Sequence, residues 1–306
     1  FQQYMEGKIG ARDYVHIYAP QLVNDDADPN HINLAGFQWS SLDNQIENVV
    51  IPLRNKLAAR GEKLFINVCY VGFGTNPSGY YHWDQPAEYA EFVLATYQHL
   101  KAKYGLVPDA WEVALEPDNT AFNGTKMGQA IAATAALLEA NGFQPAFIAP
   151  STTNMSNAQT YFNAIKNVIG DAGVRKYISE LSYHRYAGVN DAVLQWIGTT
   201  SRTYGIGASM LEHIGSGYEA LHQDLKVGHN TAWEQFTLAF PVDDNGAQYY
   251  PIDMSDPQSP RIVMGSRTRF LRQYFRFIRL APCASGPRAA GHSIPWPSSI
   301  RATSTW

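Results

Sequence analysis

Two apolar segments of the chain each deliver a glutamate at their C-terminal end. Residues 111–119 place Glu116 directly before a proline, and residues 207–215 place Glu212 shortly before a glycine. Paired carboxyl groups suit glycoside hydrolysis, in which one protonates the leaving oxygen while the other attacks the anomeric carbon. A lone glutamate of this kind is more often a helix cap or an ion-pair partner. Two glutamates at equivalent strand ends favour a shared catalytic role instead. Burying a carboxylate without a partner costs free energy, so a protein keeps two of them when they have a function.

Several polar and aromatic residues lie near predicted strand ends, and each has a structural alternative. Glu112 has the strand parity of Glu116 and would point into the same interior, where a hydrogen-bonded structural role is favoured. A tyrosine or histidine between the two glutamates could orient the nucleophile or bind a hydroxyl, and a tryptophan could stack on a sugar; core packing is the alternative. The candidate substrate-binding residues are Asn67, Tyr70, Tyr183, His184, Tyr186 and Trp233.

These residues need a scaffold, and apolar segments alternate with helical patterns along most of the chain. Apolar residues at helical spacing predict a helix that begins at Ser41 and is ended by Gly61. Pro86 begins another predicted helix, which ends before Gly105. Further helices are predicted over residues 125–140, 157–169, 190–204, 216–228 and 267–280. Six strands are predicted at residues 63–71, 111–116, 146–150, 177–184, 207–212 and 231–240.

This alternation predicts a parallel sheet with helical crossovers. A doubly wound nucleotide-binding fold needs Gly-x-Gly-x-x-Gly after its first strand, and the segment 72–77, Gly-Phe-Gly-Thr-Asn-Pro, breaks that pattern. A β/α barrel gathers its functional residues at the C-terminal ends of its strands, where Glu116 and Glu212 lie. We therefore predict an α/β fold of the (β/α)8 TIM-barrel type.

The composition excludes several classes of function. The 306 residues are 45% hydrophobic with a formal net charge of −4, which suits one large domain without strong attraction to nucleic acid or anionic lipid. No apolar run is long enough to span a membrane. The two cysteines predict no metal site, and no nucleophile elbow, zinc motif or phosphate loop predicts a cofactor. No signal peptide is visible, but Phe1 is not a natural start, so the localisation stays open.

Taken together, these segments resemble the clan A retaining glycoside hydrolases, with most similarity to bacterial proteins of families 30 and 39. The resemblance implies a (β/α)8 barrel, a carbohydrate substrate, Glu116 as the acid/base and Glu212 as the nucleophile. Leu115 departs from the clan, which has at this position an asparagine that binds the sugar 2-hydroxyl. The resemblance runs over roughly residues 24 to 279 and rests on segments 111–119, 149–154, 182–186, 210–213 and 272–279.

The resemblance also implies that the barrel is incomplete. If residues 64–71 correspond to the third strand of the clan, the first two strands have no counterpart and about six βα units remain. An open barrel exposes unpaired strand edges, so we expect a homo-oligomer that covers them. Residues 1–280 would form the incomplete catalytic domain. Residues 281–306 would form an irregular tail, for which a frameshift near residue 280 is our hypothesis.

The predicted function is therefore a retaining glycoside hydrolase that cleaves β-glycosidic bonds with two glutamates and without a metal. The main alternative is a catalytically weak or inactive relative that binds carbohydrate in the same cleft, which Leu115 and the missing strands favour. A nucleotide-dependent oxidoreductase is a remote third possibility, because the sequence has no phosphate-binding loop.

Overall fold

A computed structural model of the chain describes residues 28–37, 39–73, 82–236 and 249–278. Three sets of predictions fall outside this part of the chain, namely residues 1–27, the tail 281–306 and residues 237–240 at the end of the last predicted strand. Among the helices that are described, none has both the length and the apolar character needed to cross a membrane.

Within the described residues, a sheet of six parallel strands is the central element of the fold. Neighbouring strands follow one another in sequence order, and the sheet curls into part of a barrel. The prediction of an incomplete (β/α)8-type barrel is confirmed. The strands are β1 (Asn67–Cys69), β2 (Ala110–Glu112), β3 (Phe147–Asn154), β4 (Ile178–Ala187), β5 (Gly207–Glu212) and β6 (Ala232–Trp233).

Helices connect these strands and cover the outside of the sheet. The N-terminal pair lies before β1, and each of the next five follows or precedes a strand of the sheet. Within the described residues they are α1 (Ser40–Gln45), α2 (Ile51–Ala58), α3 (Pro86–Tyr104), α4 (Gly124–Ala140), α5 (Ala158–Tyr177), α6 (Asp191–Tyr204), α7 (Tyr218–Lys226) and α8 (Ser266–Phe277).

Local sequence sets the helix ends. Pro86 is the first residue of α3, and Gly105 ends that helix with a left-handed φ of 60°. The helix predicted to end at residue 169 is longer, since α5 continues to Tyr177 after a break at Gly170, where φ is 72°. Near the N-terminus, a π-helical turn over Ile46–Val50 separates α1 from α2, where the sequence predicted one helix.

The two faces of the sheet differ in chemistry because side chains alternate along each strand. Large apolar side chains such as Trp111, Phe147 and Met210 face the helices and belong to one continuous core. In that core the Trp111 indole N–H donates to the Tyr89 hydroxyl at 2.7 Å, so its polar atom is satisfied. The opposite face lines the inside of the partial barrel and carries smaller and polar residues.

A short hairpin follows the barrel strands and was not predicted. Its strands, β7 (Ile252–Asp253) and β8 (Arg261–Ile262), pair antiparallel. The hairpin leads into α8, whose fully buried Leu271 packs in a small cluster with Leu221 and Tyr249. This contact attaches the last described helix to α7.

Candidate active site

Glu116 lies just beyond β2 in a backbone conformation that lifts it out of the strand. Its φ of 47° and ψ of 55° are left-handed, and a 3-10 turn, Pro117–Asn119, follows it. Its amide N–H still donates to the carbonyl of Ser151 at 3.1 Å, so the end of β2 stays attached to β3. A non-glycine residue in this region is strained, and such residues concentrate at functional sites.

Two residues of the same turn hold Glu116 in place. The Asp118 carboxylate accepts hydrogen bonds from the backbone N–H groups of Thr153 at 2.8 Å and Asn154 at 3.1 Å. The Asn119 amide donates to Glu116 Oε2 at 3.0 Å and to the Thr153 hydroxyl at 2.8 Å. The sequence of this segment predicts a role for Glu116 but none for Asp118 or Asn119, because residue spacing does not reveal their partners on β3.

A β-bulge directs Glu212 into the barrel. Along β4 and β5, Tyr183 is opposite Met210, whereas His184 is opposite Glu212, so Leu211 is an extra residue in the ladder. In a regular strand without the bulge, Glu212 would share the parity of Met210 and face the helices. The bulge turns the Glu212 side chain to the inner face of the sheet. There its carboxylate accepts a hydrogen bond from the Tyr186 hydroxyl at 3.0 Å.

The two glutamates and His184 converge at one end of the barrel. One donor atom from each of Glu116, His184 and Glu212 lies within 4.8 Å of the others. His184 is fully buried, and its Nδ1–H donates to Glu116 Oε1 at 3.0 Å, while its Nε2 has no hydrogen-bond partner among the described residues. The Glu116 side chain is 15% exposed and is therefore reachable from solvent. The carboxyl groups are close enough for the retaining route of glycoside hydrolysis, for which about 5 Å is typical.

Three predicted substrate-binding residues, Tyr70, Tyr183 and Trp233, lie away from this pair. The Tyr183 hydroxyl donates to Asp224 at 2.7 Å, and the Trp233 indole donates to the same carboxylate at 2.9 Å, both on the helix-facing side. Tyr70 packs edge-on against Tyr89, and its hydroxyl bonds His82 Nδ1 at 3.2 Å. The side chains of Tyr183 and Trp233 point toward the helices because of strand parity, since each residue lies one position away from an inward-facing one.

The other candidates lie on the inner side. His184 and Tyr186 reach the pair directly. Asn67 lies deeper in the barrel, where its side-chain amide donates to Glu112 Oε2 at 2.9 Å. Glu112 is thus hydrogen-bonded through one oxygen, as its predicted structural role requires, although its Oε1 has no partner among the described residues.

Three carboxyl groups inside the partial barrel have raised pKa values. Burial is the main cause of the raised pKa of Glu112 and of Glu180. Burial, followed by repulsion from Glu112 and Glu180, raises the pKa of Glu234 to about 7. Glu234 is nevertheless exposed to solvent, so the density of protein atoms around its carboxyl group, and not complete enclosure, explains the raised pKa. The interior therefore gathers three carboxyl groups whose surroundings favour their protonated forms.

A buried ion pair on the other face was also missed by sequence analysis. Asp224 of α7 is fully buried, and Arg185 of β4 forms an ion pair with it. Arg185 also donates to the Gln223 side chain at 2.8 Å. Since Arg185 lies between His184 and Tyr186, this pair fixes the segment that carries both site residues. The sequence around Arg185 does not predict this ion pair, because the pairing depends on where α7 packs.

Solved structures share this arrangement of strands and helices. The catalytic domain of the GH30 xylanase C from Talaromyces cellulolyticus matches with a TM-score of 0.55 and 12% identity, over 86% of this chain and 64% of that one. A GH30 endoxylanase from Clostridium papyrosolvens C71 matches with a TM-score of 0.55 and 16% identity, over 80% and 62%. The fold is a partial TIM-type barrel, as in these two structures. The resemblance to clan A glycoside hydrolases is thus confirmed at the level of the fold.

The partial barrel is also similar to a conserved exported protein from Bacteroides fragilis, with a TM-score of 0.53 and 11% identity, over 74% of this chain and 59% of that one. No protein-family profile and no curated protein sequence matches the chain. The chain spans 64% and 62% of the two GH30 structures, which is slightly less than two thirds of their length.

Proposed function

We propose that this protein is a retaining glycoside hydrolase that cleaves β-glycosidic bonds, with Glu116 as acid/base and Glu212 as nucleophile. The observation that carries the proposal is the approach of their carboxylate oxygens to within 4.8 Å, on two separate strand ends of one barrel. This spacing leaves no room for the extra water that an inverting enzyme holds between carboxyl groups about 6.5–9.5 Å apart. The GH30 neighbours named as xylanases support a β-linked carbohydrate as substrate.

In the first step Glu116 gives its proton to the glycosidic oxygen while the Glu212 carboxylate attacks the anomeric carbon. The bond to the leaving sugar breaks, and an ester joins the remaining sugar to Glu212. In the second step Glu116, now ionised, takes a proton from water. That water attacks the anomeric carbon, and the ester breaks to release the sugar and restore Glu212.

Neighbouring side chains support these roles. Tyr186 donates to Glu212 Oε1 at 3.0 Å and orients the attacking carboxylate. His184 and Asn119 each donate to one oxygen of Glu116 at 3.0 Å, so both of its oxygens are held when it is ionised. Such positioning keeps reacting atoms in line without reorganisation during the reaction.

The alternative function is carbohydrate binding with little or no hydrolysis. Leu115 favours it, because this position supplies no side-chain hydrogen bond to a sugar hydroxyl. The orientation of Tyr70 and Trp233 away from the pair also removes two of the expected sugar contacts.

A panel of nitrophenyl glycosides, run beside a sugar-binding titration, separates the two functions. We expect hydrolysis of at least one β-glycoside, and we expect Glu116→Gln and Glu212→Gln each to lower turnover by about 10³-fold or more. Sugar binding without turnover in the wild type supports the alternative. A wild-type rate in either variant removes that residue from the mechanism.

The same barrel leads us to propose a homo-oligomer. In the described residues, β1 and β6 are the outer strands of the sheet and pair on one side each. Unpaired edges promote association, so a second copy that covers them would stabilise the open barrel. Light scattering of the purified protein tests this: we expect a mass of at least two chains, and a monomer across all concentrations contradicts it.

A further inference from the structure

We infer that Glu116, His184 and Glu212 also form a binding site for a divalent transition-metal ion, with Zn²⁺ as the representative probe. Their donor atoms lie within 4.8 Å of one another. Two carboxylate oxygens and one imidazole nitrogen are a donor set that suits zinc, and a water would complete four-coordination. No such ion is needed for hydrolysis by two glutamates, so the site is additional to the proposed function.

The geometry requires only a small movement. Zinc binds oxygen and nitrogen at about 2.1 Å, so tetrahedral donors lie about 3.4 Å apart. The His184 Nδ1 and Glu116 Oε1 atoms are already 3.0 Å apart. Glu212 would close the remaining gap, and its side chain is partly exposed and therefore has room to turn. Binding would require the other tautomer of the neutral imidazole, with the proton moved from Nδ1 to Nε2 and the Nδ1 lone pair on the metal.

The surrounding charges favour a cation. Glu112, Glu180 and Glu234 lie inside the same partial barrel and add negative potential when they are ionised. The nearby cation on the same strand, Arg185, is paired with Asp224 on the opposite face and does not neutralise the interior. Carboxylates gathered in a cleft of this kind raise the local concentration of cations.

Occupancy would have a consequence for catalysis, and this part rests on the proposed function. A metal bound to both carboxylates prevents Glu116 from transferring a proton and Glu212 from attacking. Substrate and metal would therefore compete, and Zn²⁺ would raise the apparent KM without changing kcat.

Calorimetric titration with Zn²⁺ tests the site directly, on wild type, Glu212→Gln and the control His222→Asn. His222 lies on α7, where its Nδ1 contacts the Tyr274 hydroxyl at 3.1 Å, away from the pair. We expect one Zn²⁺ per chain in the wild type and in His222→Asn, and at least tenfold weaker binding in Glu212→Gln. Thermal unfolding without metal checks that each variant is folded.

A second readout uses Co²⁺, whose visible absorption in a four-coordinate site should develop in the wild type and not in Glu212→Gln. Equal Zn²⁺ affinity in Glu212→Gln and wild type, or loss of binding in His222→Asn, overturns the assignment, as does absence of stoichiometric binding to the wild type. These titrations do not need turnover, so a protein without glycosidase activity can still pass or fail them.

Discussion

At the residue scale, one strand supports both carboxylates of the proposed mechanism. His184 and Tyr186 are two positions apart on β4, so their side chains point to the same face. His184 donates to Glu116 and Tyr186 donates to Glu212, each at 3.0 Å. The two glutamates come from different strands, and β4 fixes both of them through its own side chains. Rearrangement of β4 would thus disturb the acid/base and the nucleophile together.

Glu234 provides a pH-dependent prediction at this scale. Its pKa is raised from 4.5 to about 7, so the folded protein binds a proton more tightly than the unfolded chain. Ionisation of Glu234 therefore reduces the free energy of unfolding as pH rises from about 4.5 to about 7. We expect Glu234→Gln to raise the melting temperature at pH 8 relative to wild type, and to have much less effect at pH 4.5.

Thermal unfolding at both pH values measures this difference. Solvent reaches Glu234, so the effect should be modest. Glu219→Gln, on the solvent-exposed side of α7, is the matched control and should behave alike at both values. A Glu234→Gln shift that is the same at pH 4.5 and pH 8 contradicts the raised pKa of Glu234.

At the element scale, alternation along the strands decides which of the predicted residues face the interior of the barrel. Glu112 and Glu116 were assigned to the interior from their parity, and the structure places Glu112 there. Tyr183 and Trp233 were chosen for their closeness to strand ends, and they face the helices. Glu212 reaches the interior only through the bulge at Leu211, which a simple count of residues does not reveal.

The turn after Glu116 gives the prediction at this scale. Asp118 accepts hydrogen bonds from Thr153, Asn154 and Asn157, so it ties the turn to the end of β3. We expect Asp118→Ala to lower the free energy of unfolding by about 1–3 kcal/mol, because three partly buried donors lose their shared acceptor. Turnover should fall about tenfold or more with little change in KM, since Glu116 is then misplaced.

Urea unfolding and steady-state kinetics check both parts of this prediction. Asp171→Ala is a suitable control, because Asp171 accepts a hydrogen bond from Tyr204 at 2.6 Å on the exposed helical side. The control should keep wild-type turnover. If Asp118→Ala loses stability but keeps full turnover, the turn does not position Glu116.

At the scale of the whole molecule, the order and direction of the six barrel strands could be predicted from sequence. Each buried strand gives an apolar run, and the helices between them exclude antiparallel pairing. The hairpin β7–β8 escaped prediction because its strands have two residues each and no alternating pattern. The buried pair of Arg185 and Asp224 escaped for another reason, since the two residues are far apart in sequence.

Covalent trapping tests most directly whether the first step joins the sugar to Glu212. A 2-deoxy-2-fluoro glycoside with an activated leaving group slows the second step, so the glycosyl-enzyme accumulates. Using the sugar of the best nitrophenyl substrate, mass spectrometry of proteolytic peptides should find one added sugar per chain, attached to Glu212. A label on another residue, or turnover of the unmodified substrate without any trapped intermediate and with inverted anomeric configuration, contradicts the account.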